Sequence, residues 1–205
     1  MSTAKKAGAA GAGALAIAAA VIAPWEGLWT TAKIDTIGTG RPPTVCYGAT
    51  RAEIPTLKVG DKFTKAECDQ LLLKSLPKYA NEIAPCIKVP ISDKEFAAYI
   101  SFAYNVGSAG ACRSSAFARL NRGDHRGGCE ALMGWVKAQG RVVKGLVNRR
   151  TAERKLCLEG VNEPAVKRTP APTTPKPAPQ KAPEVKPVEL TLWQKIKILF
   201  NFLKG

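Results

Sequence analysis

Residues 23–50 read APWEGLWTTAKIDTIGTGRPPTVCYGAT, and they begin where a run of small apolar residues stops. The stretch holds two acids nine positions apart, Glu26 and Asp35, with few charges around either. It is rich in Thr, Gly and Pro and has only short β-type runs such as Thr44–Tyr47, which predicts hairpins and loops. If the chain turns back between the two acids, their carboxyl groups can share one site. Glycoside cleavage needs such a pair, a carboxylic acid to protonate the leaving oxygen and a carboxylate acting on the anomeric centre or on a water. Spacing alone does not separate them from two solvated surface acids. Thr44, within the apolar TVCYG, is by the same reasoning either a hydroxyl that holds a water or an ordinary strand threonine.

Upstream, Lys5-Lys6 precede the uncharged run Ala7–Ala23, which holds ten Ala, three Gly and only four larger residues, Leu15, Ile17, Val21 and Ile22. As a helix it would span roughly 25 Å at about 1.5 Å per residue, short of a hydrocarbon core of about 30 Å. Four aliphatic side chains supply only about 1 to 2.5 kcal/mol of insertion preference. One added charge would cancel it. Residues 1–23 are therefore expected to form a marginal membrane anchor. The alternative is a cleaved signal peptide. Pro24 would hinder cleavage after Ala23, whereas Ala18-Ala19-Ala20 would leave a mature N-terminus at Val21. No cysteine lies in the run, which rules out control by thiol–disulfide exchange from within it.

Lys and Arg number 31 against 16 Asp and Glu, a net charge of +15, with His125 the lone histidine. Such a balance favours an anionic partner. Aromatic residues make up 7%, and no basic module interleaved with aromatics is visible, so nucleic acid is not expected. The six cysteines, Cys46, Cys68, Cys86, Cys112, Cys129 and Cys157, form neither a CxxC pair nor a His/Cys zinc pattern, so neither a metal nor another cofactor is expected. An even count behind a membrane-directing N-terminus reads as a disulfide framework in an oxidising compartment.

Beyond Gly60, helix signals dominate. Thr64-Lys-Ala-Glu67 and Ser92-Asp-Lys-Glu95 are capping-box patterns that open amphipathic runs. Pro77 should kink or divide the first. The second, through Phe96, Tyr99, Ile100, Ala103 and Tyr104, has the period of a buried helix and should stop at Gly107. Further helices are expected at about 115–121, 125–138 and 145–158. Residues 24–162 thus read as an α+β domain, a small N-terminal strand-and-loop lobe followed by a larger helical lobe. Residues 163–188 are Pro, Lys, Ala and Thr, an extended linker. Residues 189–205 form an amphipathic helical pattern with Leu192, Trp193, Ile196, Leu199, Phe200 and Leu203 on one face and Lys195, Lys197 and Lys204 available to anionic headgroups. Its expected partner is anionic lipid or lipopolysaccharide; the rival is packing on the domain.

Taken together, EGLWTTAKID…TVCYGAT, SFAYNVG, RSSAFARLNRGD and GLVNRRTAER resemble the ordered blocks of the phage-type lysozymes, glycoside hydrolase family 24, from about Trp25 to Gly160. With the weak N-terminal helix, the chain most resembles the signal-anchor-release endolysins of that family. The resemblance implies a lysozyme-like fold and hydrolysis of the β-1,4 bond between N-acetylmuramic acid and N-acetylglucosamine in peptidoglycan, causing host cell lysis. It implies a monomer at the host inner membrane, held through residues 7–23, facing the periplasm and then released into it. Carried over residue by residue, Glu26 is the general acid, Asp35 the water-positioning base or stabiliser and Thr44 the water-holding hydroxyl. TGRPP widens the usual gap between Asp and Thr to nine residues, which leaves Thr39 and Thr50 as rivals, and Ala49 stands where many members have His.

Asn148-Arg149-Arg150 resembles the family's arginine-bearing helix, which implies an arginine paired with Glu26; the alternative is a solvated basic face. Of the fifteen possible cysteine pairings, Cys46–Cys68, Cys86–Cys112 and Cys129–Cys157 are expected. Each joins segments that the helical reading makes neighbours, and the middle pair rests partly on the resemblance. While residues 7–23 lie in a bilayer, the helix before Glu26 cannot pack on the lobe that orients it, and a catalytic geometry loose by about 1 Å can cost about a hundredfold in rate. Two other functions fit the same residues. A membrane-perturbing cationic protein with a wall-binding domain would keep full activity as Asp35→Asn, and a lytic transglycosylase would need one acid and release an anhydro-sugar.

Overall fold

A computed structural model describes residues 11–34 and 42–168. Asp35, Thr39, residues 7–10 of the expected anchor, and residues 169–205 with the amphipathic segment lie outside the described residues.

Helix α3, Asp93–Val106, is the centre of the larger lobe. Its nine consecutive residues from Glu95 to Ala103 are all buried, the mark of a helix packed on every side. The Ser92 hydroxyl accepts the Glu95 N–H, while the Glu95 carboxylate accepts the Ser92 N–H at 2.9 Å and meets His125 Nδ1 at 2.6 Å. Gly107, at φ 81°, ends the helix as expected. Helix α2, Lys65–Ile83, opens on the Thr64–Glu67 capping box and buries Cys68, Leu72, Leu76 and Ala80 at helical spacing. Pro77 does not divide it. The carbonyl that loses its partner belongs to Leu73, on the exposed face, where water can replace the missing N–H.

Helix α1, Ala12–Glu26, lies against α2 and α3. Ala14, Ala18 and Ile22 form its buried face, and the two alanines let the backbones approach closely. The helix runs unbroken through Ala23 and Pro24, so the expected boundary between anchor and domain is no boundary in the fold. Pro24 is exposed, and so is Ala20, whose carbonyl loses its N–H partner and can turn to water instead. At its other end a Cβ on Gly11 or Gly13 would come within 2.8 Å of the Asp93 carboxylate, which would have to shift to admit it. Among the described residues, no helix is long and apolar enough to cross a membrane.

The small lobe is an antiparallel pair, β1 Trp29–Ile34 and β2 Pro43–Cys46, in the register Trp29↔Cys46 and Lys33↔Thr44, with an irregularity between them. Residues 60–63 add a third edge through the Thr31↔Lys62 bridge. Cys46 at φ 58° and Gly48 at φ 92° fold the chain back so that Val45 pairs with Ala49. Two hydroxyl bonds tie this lobe to the helices: Tyr47 to Asp69 at 2.7 Å, and Tyr104 to the Tyr47 carbonyl at 3.0 Å.

Helices α4, Ser108–Cys112, and α5, Ser115–Leu120, follow. The single helix expected over 125–138 is instead α6, His125–Ala131, a 3-10 turn at Leu132–Gly134 and a hairpin of β3, Lys137–Ala138, with β4, Arg141–Val142. Gln139 at φ 51° and Gly140 at φ 77° make the two-residue left-handed turn that matches strand twist, and β-branched Val136, Val142 and Val143 flank it. Helix α7, Lys144–Gly160, then packs along α3. Cys46–Cys68, Cys86–Cys112 and Cys129–Cys157 are bonded, as expected, across separations of 22, 26 and 28 residues. Each contributes about 2–4 kcal/mol.

The first residues of the expected linker stay on the helical lobe. Val166 bridges Ile91, and buried Arg168 bonds the Ile91 carbonyl at 3.0 Å and Asp93 at 2.8 Å with its guanidinium over the Phe96 ring.

Enlarging the buried face of α1 should loosen it. Ala18→Leu is expected to cost about 1–3 kcal/mol through overpacking, which a thermal melt should read as a fall in Tm of about 2–10 °C.

Candidate active site

Glu26 is the last residue of α1, and Gly27, at φ 69°, turns the chain away behind it. The carboxyl is about one-quarter exposed, and its Oε1 accepts from Arg149 Nη1 at 2.6 Å. Arg149 comes from α7 and is almost wholly buried. Its other two nitrogens are also engaged, Nε to Glu153 Oε1 at 3.1 Å and Nη2 to the Ser101 carbonyl at 3.2 Å. A planar guanidinium with three fixed acceptors has one orientation. The end of α1 is thus tied to α3 and α7 through one side chain.

Glu153 has no exposed surface. Besides Arg149, its Oε1 accepts from Ser101 Oγ at 2.7 Å and Arg150 Nη2 at 3.1 Å, and Arg150 Nε stands 2.9 Å from Oε2. Arg150 also donates to Asn105 Oδ1 at 3.0 Å and lies over the Phe102 ring. Burial raises the Glu153 carboxyl above its ordinary range, and Arg150, Ser101 and Arg149 offset that rise only in part. Burial pushes the Arg150 guanidinium down to about 10 despite Glu153, so it stays cationic at neutral pH.

Two tyrosines face this end of α1. Tyr79 and Tyr104 have ring centroids 4.9 Å apart. Burial first, and then the Glu26 charge, raise the Tyr104 hydroxyl above its ordinary range. The Tyr79 hydroxyl is raised by burial and by Glu53, Glu82 and Glu26. The charges of Glu26 and Glu53 thus reach the same ring pair, beside which lies a cavity of about 70 Å³ bounded by Tyr47, Glu53, Ser75 and both rings. A larger cavity of about 650 Å³ lies between α1 and α2, lined by Ala19, Ala23, Leu28, Lys65 and Leu73. Neither Glu26 nor Arg149 is among its described lining residues.

Thr44 is buried on β2, and its hydroxyl donates to the Pro42 carbonyl at 3.3 Å. Thr50 has its hydroxyl engaged in its own turn, donating to Glu53 Oε2 at 3.1 Å and accepting from Ala52 N at 3.2 Å. Asp35 and Thr39 lie outside the described residues. The expected arginine on Glu26 is Arg149. Glu153, Ser101 and Asn105 had no expected role, although the signal was there: an acid three and four positions after two adjacent arginines on a helix must lie beneath both. Among the described residues, no group of His, Cys, Asp and Glu could hold a metal ion.

Residues 23–153 match the family model described as phage lysozyme. The SAR-endolysin of Pseudomonas phage phiKMV is 41% identical over 150 residues, covering 71% of this chain and 89% of that protein. The SAR-endolysin of Enterobacteria phage PA-2 is 39% identical over 160 residues, 75% of this chain and 93% of its own length. Among solved structures, the endolysin from Escherichia coli O157:H7 phage FAHEc1 matches with a TM-score of 0.61 at 31% identity, covering 70% of this chain and 91% of that one.

The exposed ion pairs of the two lobes set an acid limit. Lys65 and then Tyr47 hold the Asp69 carboxyl below its usual range, the Thr64 N–H does the same for Glu67, and Arg154 for Glu130. With folded values depressed, the stabilisation is present above the unfolded values of about 4 and is lost as pH falls through the folded ones. Tm should therefore hold steady from neutral pH to about 5 and fall below about 4. Tyr47→Phe should shallow that fall, as a series of melts across acid pH would show.

Proposed function

This chain belongs to the phage lysozyme family, and from that premise we propose a peptidoglycan hydrolase in which Glu26 is the proton donor. It is a muramidase of the endolysin kind, and its activity is host lysis. The finer assignment is to the β-1,4 bond between N-acetylmuramic acid and N-acetylglucosamine. Glu26 gives its proton to the glycosidic oxygen, from Oε2, while Arg149 holds Oε1. Asp35, nine residues further along the chain, acts as the water-positioning base or as the stabiliser of the oxocarbenium-like centre. The Thr44 hydroxyl holds the attacking water. The observation that carries this reading is the Glu26–Arg149 pair: a partly exposed acid, pinned by a buried cation, at the junction of the two lobes.

Glu26→Gln should fold with an almost unchanged Tm and lose at least about 10²-fold in rate on purified peptidoglycan. Near-wild-type release of reducing ends by that variant would sink the assignment.

The same reading gives α1 two places, first in the host inner membrane and then docked on the lobe facing the periplasm. Burying Ala14 and Ala18 contributes about 0.8 kcal/mol per methyl and Ile22 about 2–3, some 4 kcal/mol together. Insertion offers only about 1 to 2.5 kcal/mol. Docking outweighs insertion, and release brings Glu26 to Arg149. Residues 189–205 then lie on anionic lipid or lipopolysaccharide through their apolar face. Removing residues 169–205, just beyond Arg168, should leave hydrolysis of purified wall nearly unchanged while weakening binding to anionic vesicles. Lost hydrolysis in that truncation would place the segment in the fold instead.

A further inference from the structure

A proton donor held by arginine carries an internal conflict. A guanidinium 2.6 Å from Glu26 favours the ionised carboxylate, whereas a general acid has to arrive with its proton. Arg149 is nearly buried, so water does little to screen it. Arg150 brings a second buried cation to the same cluster. Yet Arg149 is needed, because its fork fixes where the carboxyl points.

We infer that Glu153 resolves this conflict as a positioning residue, whose buried carboxylate balances Arg149 so that Arg149 can orient Glu26 without stripping its proton. The inference rests on the reading of Glu26 as donor. Glu153 reaches Arg149 through Nε, on the opposite side of the guanidinium from the Nη1 that holds Glu26. One carboxylate oxygen takes three donors, from Ser101, Arg149 and Arg150, which fixes the acid as firmly as the base it orients. With Glu153 ionised, two cations meet one buried anion; with Glu153 neutral, both would act on Glu26 unopposed. Among the described residues, the other groups facing Glu26 are Tyr104 from α3 and Tyr79 from α2, with Glu53 beyond them. The raised phenols are neutral in the working range, so the balance falls to Glu153.

The test is the pH–rate profile on purified peptidoglycan. Glu153→Gln has nearly the same volume and should keep a plateau rate of the same order. Its alkaline limb should move down by about one pH unit, the scale of one unit charge a guanidinium away at an effective dielectric near 20. Ser101→Ala removes a hydrogen bond and no charge, so its limb should stay in place. An unmoved limb in Glu153→Gln overturns the inference, as does an equal shift in Ser101→Ala. If Glu153→Gln does not fold, carboxyl carbon NMR of the wild-type protein decides: Glu153 must be ionised across the active range, and a protonated Glu153 overturns the inference. Glu26→Gln keeps the two ideas apart. If it is active, the donor reading falls and takes this one with it; if it is inactive while the limb of Glu153→Gln is unmoved, only the role of Glu153 is lost.

Discussion

Ala14, Ala18 and Ile22 form the buried face that brings α1 against the helical lobe and places Glu26 beside Arg149. The constraint is steric before it is chemical. A helix can lie this close to α3 only if its buried face is small, and Gly11 and Gly13 extend the same rule to its first turn, where Asp93 fills the space a Cβ would need. Small side chains also make the helix weakly apolar. One composition therefore serves two demands that pull against each other. Larger residues would hold the helix in lipid and push it off α3, and polar ones would weaken both associations.

The site is a buried charge cluster within an otherwise ordinary helical core. Arg149, Arg150 and Glu153 have almost no exposure, and such groups persist only where each finds a partner. Ser101 and the carbonyl beside it supply the neutral partners from α3. The cluster thus joins α3 to α7 while it aims the acid at the end of α1. Stability and alignment depend on the same bonds, so the most stable arrangement of these helices is also the one that sets the carboxyl.

What could be read in advance follows from local chemistry. The two capping boxes, the stop at Gly107 and the arginine on Glu26 each have short-range or motif-level signals, and each stands where expected. The hairpin at 137–142 was hidden because Gln139 occupies a left-handed position usually taken by Gly or Asn. Glu153 has the spacing of a partner to both arginines, but α7 is highly charged, and in sequence a charged helix reads as solvated even when one of its faces is closed off. Residues 163–168 looked like linker because Val166 is their one large apolar residue, and its bridge to Ile91 is a tertiary event. Asp35 lies outside the described residues, and its distance from Glu26 is a matter of chain path that spacing does not contain.

The order of the disulfides has a consequence for how the protein is made. Each cysteine is bonded to the next one along the chain, and no ring encloses or overlaps another. A polypeptide delivered N-terminus first presents its thiols in that order. If each newly exposed thiol reacts with the one just before it, the native set forms directly, and the reshuffling that takes seconds to hours in interlocked frameworks is not required. α1 lies outside all three rings. The covalent frame can therefore be complete and oxidised before the helix that carries Glu26 has taken its place.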